Sequence, residues 1–263
     1  MRRIQAFEFL ERAETPAIIR EGIVELLGNG LRSSPIFETI APIFHEFCER
    51  AGAHVILDLG SGSGEPSALL IEALSRRGIT SPCFIISDLF PNLSKMEEIA
   101  GKFPQKIRIV RKSLDAANVP EDIQHQARTI INTFHHFPQP LAERIVGDAI
   151  AKQKALLIME NFPRRFLNFA ELFPFLCRAY LESLFQKKKS TARNFGYPLA
   201  FPFIGLFGLW DAYISVRRVY NRKELMNMVK QAGDSYAWEY HEIPYGTYGA
   251  AVVFFGIPKS ECV

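Results

Sequence analysis

The sequence is short of the features that mark several large classes of protein. Its four cysteines, Cys48, Cys83, Cys177 and Cys262, lie far apart and form no C-x-x-C pair. That spacing gives neither a zinc site nor a redox motif. A chain of 263 residues does not need disulfides to hold together. Charge of one sign is also scarce. The net charge is +3, too small to indicate a nucleic-acid partner, and no Asn-Pro-Pro-Tyr-like segment for gripping an extruded base occurs. The uncharged run Phe195–Trp210 has 16 residues, short of the about 20 that a membrane span needs. Pro198, Pro202 and three glycines in it argue against one long helix. At the N-terminus, Arg2 and Arg3 precede an apolar stretch, but Glu8 and Glu11 interrupt it. That favours an amphipathic helix over residues 4–12 rather than a leader, and a cytoplasmic protein. There is no internal repeat and no low-complexity tract.

What is present is an ordinary globular composition, 48% hydrophobic and 22% charged. Residues 1–50 read as helical. Thr15-Pro16 is a start signal and Gly28-Asn29-Gly30 a stop, and Ser34-Pro35 opens a second helix that runs to about Ala51. From Val55 the texture changes. Short apolar runs at 55–59, 84–86, 107–110, 129–131 and 155–159 alternate with helical stretches at 66–77, 91–101 and 139–151. This alternation predicts β-α-β units and a doubly wound, mostly parallel sheet. After Phe162 the alternation stops. Residues 162–220 read as an insertion, followed by a helix at 222–232 and two strands, 237–243 and 250–257, joined by a sharp turn. The expected organisation is an N-terminal helical cap over 1–50, an α/β domain over 51–161 and 221–263, and the insertion between its parts.

The sharpest motif is Asp58-Leu-Gly60-Ser61-Gly62-Ser-Gly64, set between a strand and a helix. Glycines let the backbone turn tightly and approach a ligand, and amides at the following helix start can meet its polar groups. A dinucleotide turn wants G-x-G-x-x-G/A. Here the third small position holds Glu65, which would oppose a pyrophosphate. S-adenosylmethionine carries an ammonium and a sulfonium but no phosphate, and Asp58 at a strand end suits that positive charge. Asp88 ends the second strand, where a carboxylate can accept both hydroxyls of a ribose; the alternative is a helix cap before Pro91.

The segment VILDLGSGSGEPS resembles the first motif of class I S-adenosylmethionine-dependent methyltransferases. The resemblance runs by motif over 51–161 and by element order over 222–258, and it implies a seven-stranded sheet with a reversed last strand. It assigns cofactor binding to Asp58, Gly60, Ser61, Gly62, Gly64, Asp88 and Leu89. Asp115 and Ala116, after the third strand, would take the adenine edge, and Asn132, after the fourth, would lie near the methionine moiety. The alternative for Asp115 is an Asx-turn in a surface loop.

Asn132-Thr-Phe-His135-His136-Phe137 resembles the run found there in small-molecule members, so His135 or His136 is the candidate base. Adjacent histidines at a strand end cannot readily both ligate one ion, so no metal is expected. Glu160, Asp211 and Tyr220 are candidate substrate contacts.

Ten of the 22 phenylalanines fall in residues 162–207. They predict either extra core or a lid over a small, largely apolar substrate. Lys187-Lys-Lys189 and Arg193 before the uncharged run, and Arg217-Arg218 after it, would suit a lipid surface or a lipid-like substrate over 187–218. The expected reaction is methylation at oxygen, nitrogen or carbon, leaving S-adenosylhomocysteine. A nicotinamide-dependent oxidoreductase and a non-catalytic S-adenosylmethionine-binding protein are the competing readings.

Overall fold

In the computed structural model, residues 2–165, 197–245 and 249–259 are described, with the backbone alone for 197–202. The chain divides into two compact units, residues 35–163 with 220–263, and residues 1–34 with 164–219.

The larger unit is a seven-stranded sheet. Its strands are β1 Val55–Leu59, β2 Cys83–Ser87, β3 Ile107–Ile109, β4 Ala127–Ile131, β5 Ala155–Glu160, β6 Tyr236–Tyr245 and β7 Gly249–Pro258. They lie in the order β3-β2-β1-β4-β5-β7-β6. β1 to β5 pair in parallel, and β7 pairs antiparallel with both β5 and β6. The expected doubly wound sheet with a reversed last strand is what the chain forms. Burial explains why the inner strands read as continuous apolar runs. All five residues of β4 and all six of β5 are buried, as parallel strands covered on both faces must be.

Helices in this unit are α2 Ile36–Ala51, α3 Glu65–Arg76, α4 Leu93–Lys102, α5 Gln139–Ala151 and α7 Arg222–Met228. α2 lies over the sheet. Phe44 stacks on Phe84 with ring centroids 5.9 Å apart, and Phe47 meets Phe255 at 5.5 Å. The helical cap expected over 1–50 is therefore divided, because α2 belongs to the sheet unit. Another apolar cluster joins α5 and α7 to Leu57, Ile130, Leu156 and Phe254. α7 is shorter than expected; a 3-10 turn, Lys230–Ser235, follows it, with Gly233 at φ +52°.

The smaller unit is built on α1 Ala17–Ser33 and α6 Tyr197–Arg218. A Cβ on Gly22 would stand 2.4 Å from Ile204 Cδ1, so this helix surface must stay bare there. Three sequence expectations are corrected in this unit. Residues 4–12 form only a 3-10 turn at Phe9–Glu11, not a helix. Asp211 accepts the amides of Phe9 and Leu10 at 2.6 and 3.0 Å, and Arg218 donates to Glu11 at 2.5 Å, so side chains replace the helix ladder. α1 runs straight through Gly28-Asn29-Gly30, all three buried, because burial overrides the weak propensity of glycine. α6 is one helix of 22 residues despite its two prolines. Pro198 falls in its first turn, where a missing N–H costs nothing, and Pro202 forgoes a single bond. Among the described residues no helix is long and apolar enough to cross a membrane. The basic run Lys187–Lys189 with Arg193, and most of the phenylalanine-rich stretch, lie outside the described residues.

Candidate functional site at the strand ends

The glycine turn follows β1, next to the point where the strand order reverses between β1 and β4. Open α/β sheets bind ligands at such a point, outside the carboxyl ends of the strands. The turn is strapped in place by its neighbours. Ser61 donates both its amide and its hydroxyl to the Ser87 carbonyl, at 2.9 and 3.1 Å. Thr133 Oγ1 donates to the Gly60 carbonyl at 3.0 Å.

All three glycines take a left-handed backbone, and at two of them the protein itself also fills the space a side chain would need. Gly60 has φ +65°, and a Cβ there would lie 3.0 Å from the Thr133 methyl. Gly64 has φ +82°, and its Cβ would meet Ile86 at 2.7 Å. Gly62 also has a positive φ, +58°, but no atom lies within 4 Å of its Cβ position. That side of the turn is open.

The two acidic residues of the motif part company. Asp58 is buried. Ser67 Oγ donates to one carboxylate oxygen at 2.5 Å and Thr129 Oγ1 to the other at 2.8 Å. Register causes the second bond, since Asp58 and Thr129 are partners across β1 and β4 and so project to the same face. Burial pushes the Asp58 carboxyl up to about 7; the bonds from Ser67 and Thr129 work the other way, and the charge of Asp88 adds to the rise. Asp58 thus ties the strand end to α3 and β4.

Asp88 lies half-exposed at the turn's outer side. It accepts the Gly62 amide and the Phe90 amide, each at 2.9 Å. Leu89 and Phe90 beside it are exposed, Phe90 to 83%. The loop after β3 is drawn to the same place. Leu114 donates its amide to the Asp88 carbonyl at 3.0 Å, and Ser113 its hydroxyl to the Leu89 carbonyl at 2.6 Å. Asp115 is exposed and makes an Asx-turn with the Ala117 amide at 2.9 Å, and Ala116 is half-buried.

After β4 the chain turns at Asn132, a non-glycine residue at φ +56°. Its side-chain oxygen accepts the Asn161 amide at 3.4 Å and its own amide reaches the Met159 carbonyl at 2.7 Å. Backbone strain of this kind is retained where the surroundings enforce it. The 3-10 turn Phe134–His136 follows. His135 is buried and bound twice to Glu160 at the end of β5. Its amide donates to Oε1 at 2.8 Å, and its Nδ1 lies 2.7 Å from Oε2. A carboxylate can only accept, so the Nδ1–H donates to Glu160. The His136 ring lies 4.2 Å from that of His135 and is half-exposed. Tyr220 holds the turn from behind, donating to the Phe137 carbonyl at 2.7 Å with its ring 5.3 Å from Phe134.

The fold thus gathers Gly60, Ser61, Gly62, Gly64, Asp88, Leu89, Asp115 and Ala116 around one turn, and joins Asn132, His135, Glu160 and Tyr220 around another. Asp211 lies in the smaller unit, engaged with Phe9 and Leu10. The sequence did not single out Ser67, Ser87, Thr129 or Thr133. Each is a small hydroxyl residue whose role depends on which strands are neighbours.

No protein-family model matches the chain, and no curated protein matches it. Solved structures do. The plantazolicin methyltransferase BpumL, in complex with SAH, is similar with a TM-score of 0.58 over 95% of this chain and 93% of its own, at 9% identity. The PH0226 protein of Pyrococcus horikoshii OT3 is similar with a TM-score of 0.51 over 84% of this chain and 89% of its own, at 16% identity. An O-methyltransferase from neocarzinostatin biosynthesis is matched over 80% of this chain at 15% identity and a TM-score of 0.45, and there the chain spans only 50% of that protein's length. The chain has the seven-stranded α/β fold that the plantazolicin methyltransferase also has.

Proposed function

We propose that the protein is an S-adenosylmethionine-dependent methyltransferase of a small, largely apolar molecule. The observation that carries this reading is the pairing of Gly62 with Asp88. A glycine with open space at its Cβ position and a half-exposed carboxylate that holds its amide meet at the topological switch point, beside the exposed Leu89 and Phe90. A carboxylate for vicinal hydroxyls next to apolar faces for a base matches an adenosine. The turn carries Glu65 where a dinucleotide site needs a small residue.

Bound at this turn, S-adenosylmethionine supplies a methyl group already activated on a sulfonium. The chain's task is then alignment and exclusion of water, and such positioning accounts for about 7–11 kcal/mol of barrier. Asp88 fixes the ribose, and the Asp115-Ala116 loop flanks the adenine. Asp58, with its oxygens held by Ser67 and Thr129, keeps the strand end rigid behind the turn. His135 removes the proton of an ionisable nucleophile through Nε2, and Glu160 sets its tautomer and ring angle. Glu160 and Tyr220 therefore serve as positioning residues for the histidine turn. We read the phenylalanine-rich stretch as the substrate lid and the substrate as apolar, including lipid-like molecules. We read the compartment as the cytoplasm.

Thermal unfolding with S-adenosylmethionine, S-adenosylhomocysteine, NADH and NADPH tests the proposal. A ligand at a hundred times its Kd adds about 2.7 kcal/mol. A rise in melting temperature with the two adenosyl compounds alone is expected, followed by labelled-methyl transfer to small apolar acceptors. A rise with the dinucleotides alone would overturn the reading.

A further inference from the structure

The smaller unit presents an apolar face that its own core does not use. On α6, Ile204, Gly208 and Asp211 face inward at i, i+4 and i+7 and are buried. Phe203, Leu206 and Trp210, at i, i+3 and i+7, form a second stripe with 53%, 61% and 39% of their surface exposed. Phe7, 39% exposed, extends the stripe; its ring lies 5.7 Å from that of Trp210, whose Nε1 donates to the Phe7 carbonyl at 3.1 Å. A helix apolar on more than one side calls for an apolar contact beyond its first.

Charge says what that contact is. Residues 1–34 and 164–219 hold 14 Lys and Arg against 8 Asp and Glu, a net +6. Residues 35–163 and 220–263 hold 17 against 20, a net −3. The stripe therefore belongs to the basic unit of a nearly neutral chain. From Ser183 to Trp210 the sequence contains four basic residues and no acidic one. Arg12 sets its guanidinium 4.7 Å from the centroid of the Phe7 ring, so a cation stands at the border of the apolar surface. Exposed Trp, Phe and Leu beside basic groups is the composition of a surface that lies in a lipid interface.

We propose that the Phe7–Phe203–Leu206–Trp210 face docks the protein on an anionic lipid bilayer, peripherally, with these side chains inserted and the basic unit facing the headgroups. Anionic lipid attracts the net positive unit, and the attraction weakens as salt rises. The proposal stands apart from the methyltransferase reading and does not depend on it.

Sedimentation with phosphatidylcholine vesicles, with and without phosphatidylglycerol, tests it on the full chain. The protein is expected to pellet with the anionic vesicles, to be released by added salt, and to stay in solution with phosphatidylcholine alone. Because these side chains are exposed, Phe203→Asp and Leu206→Asp should leave the melting temperature unchanged. Each should lower the partition coefficient by about tenfold or more. The chain has two tryptophans, so a Trp238→Phe variant reports on Trp210 alone, whose emission should shift to the blue on anionic vesicles. Absence of pelleting, or an unshifted emission, would overturn the proposal. So would a concentration-dependent dimer dispersed by Leu206→Asp, which would assign the face to a second copy of the chain.

Discussion

The two ends of the parallel sheet are both rich in polar groups, and they use them in opposite ways. At the end where β4 begins, the polar groups close on one another. Arg128, with no exposed surface, donates to His125 at 3.1 Å and to Asp148 at 2.6 Å, and Lys152 reaches the other oxygen of Asp148 at 2.6 Å. Burial pushes the Asp148 carboxyl up, but the bonds from Lys152 and Arg128 outweigh it, and the group rests below the usual carboxylate range. Burial likewise pushes His125 down to about 4, so it is neutral and accepts from Arg128. At the end where β1 and β2 finish, the polar groups are held just as firmly, but Gly62, Asp88 and Phe90 keep an open side. Polar residues turned inward on one another and on the backbone build structure; polar residues held firmly with one side open are the ones that can bind.

The contrast can be broken at each end. The largest effect is expected from His135→Asn, whose side-chain amide can still donate to Glu160. It should lower kcat by about 10²–10⁴-fold with the Kd for S-adenosylhomocysteine unchanged, measured by labelled-methyl turnover and calorimetry. At the closed end, Asp148→Ala leaves Arg128 charged, buried and short of its partner. Denaturant melts should show a loss of about 3–5 kcal/mol, while cofactor affinity per folded molecule stays the same. Asp88→Ala should do the reverse. Cofactor Kd should rise about a hundredfold through loss of a charged acceptor, with little change in the melt without ligand.

The remaining effect is read as a slope and concerns Asp58. Its folded pKa, raised to about 7, lies above the model-peptide value near 3.9. The folded state therefore holds more protons than the unfolded one between those values. Stability should fall as pH rises from about 4 to 7, by at most about 1.4 kcal/mol per pH unit. Asp58→Asn should flatten that slope in melts taken across the window. An unchanged slope would mean that Asp58 is ionised throughout and that the rigid strand end is held by charge.

Local pattern carried much of this protein. The inner strands β1, β2, β4 and β5 lie where short apolar runs stand, because strands covered on both faces are built mainly of apolar residues. The glycine turn and Asp88 were readable because their meaning is set by a few adjacent residues and one following strand. The smaller unit was misread at the same level of detail. Gly28-Asn29-Gly30 and the two prolines of α6 are local stop signals that burial, the first-turn position of Pro198 and the loss of only one bond at Pro202 overrule. The His135–Glu160 pair spans 25 residues and could not be read from either segment, although both residues had been singled out.

The sequence by itself determined the order of strands and helices, the glycine turn with its positive dihedrals, and the choice of Asp88 at the end of β2. These follow from local sterics and from apolar burial, which neighbouring residues dictate. Only the tertiary structure decided that Asp58 points inward to Ser67 and Thr129, that Glu160 aims His135, and that one stripe of α6 stays uncovered. Those outcomes depend on register and packing between segments far apart in the chain, and a parallel sheet sets its register through contacts that no single segment contains.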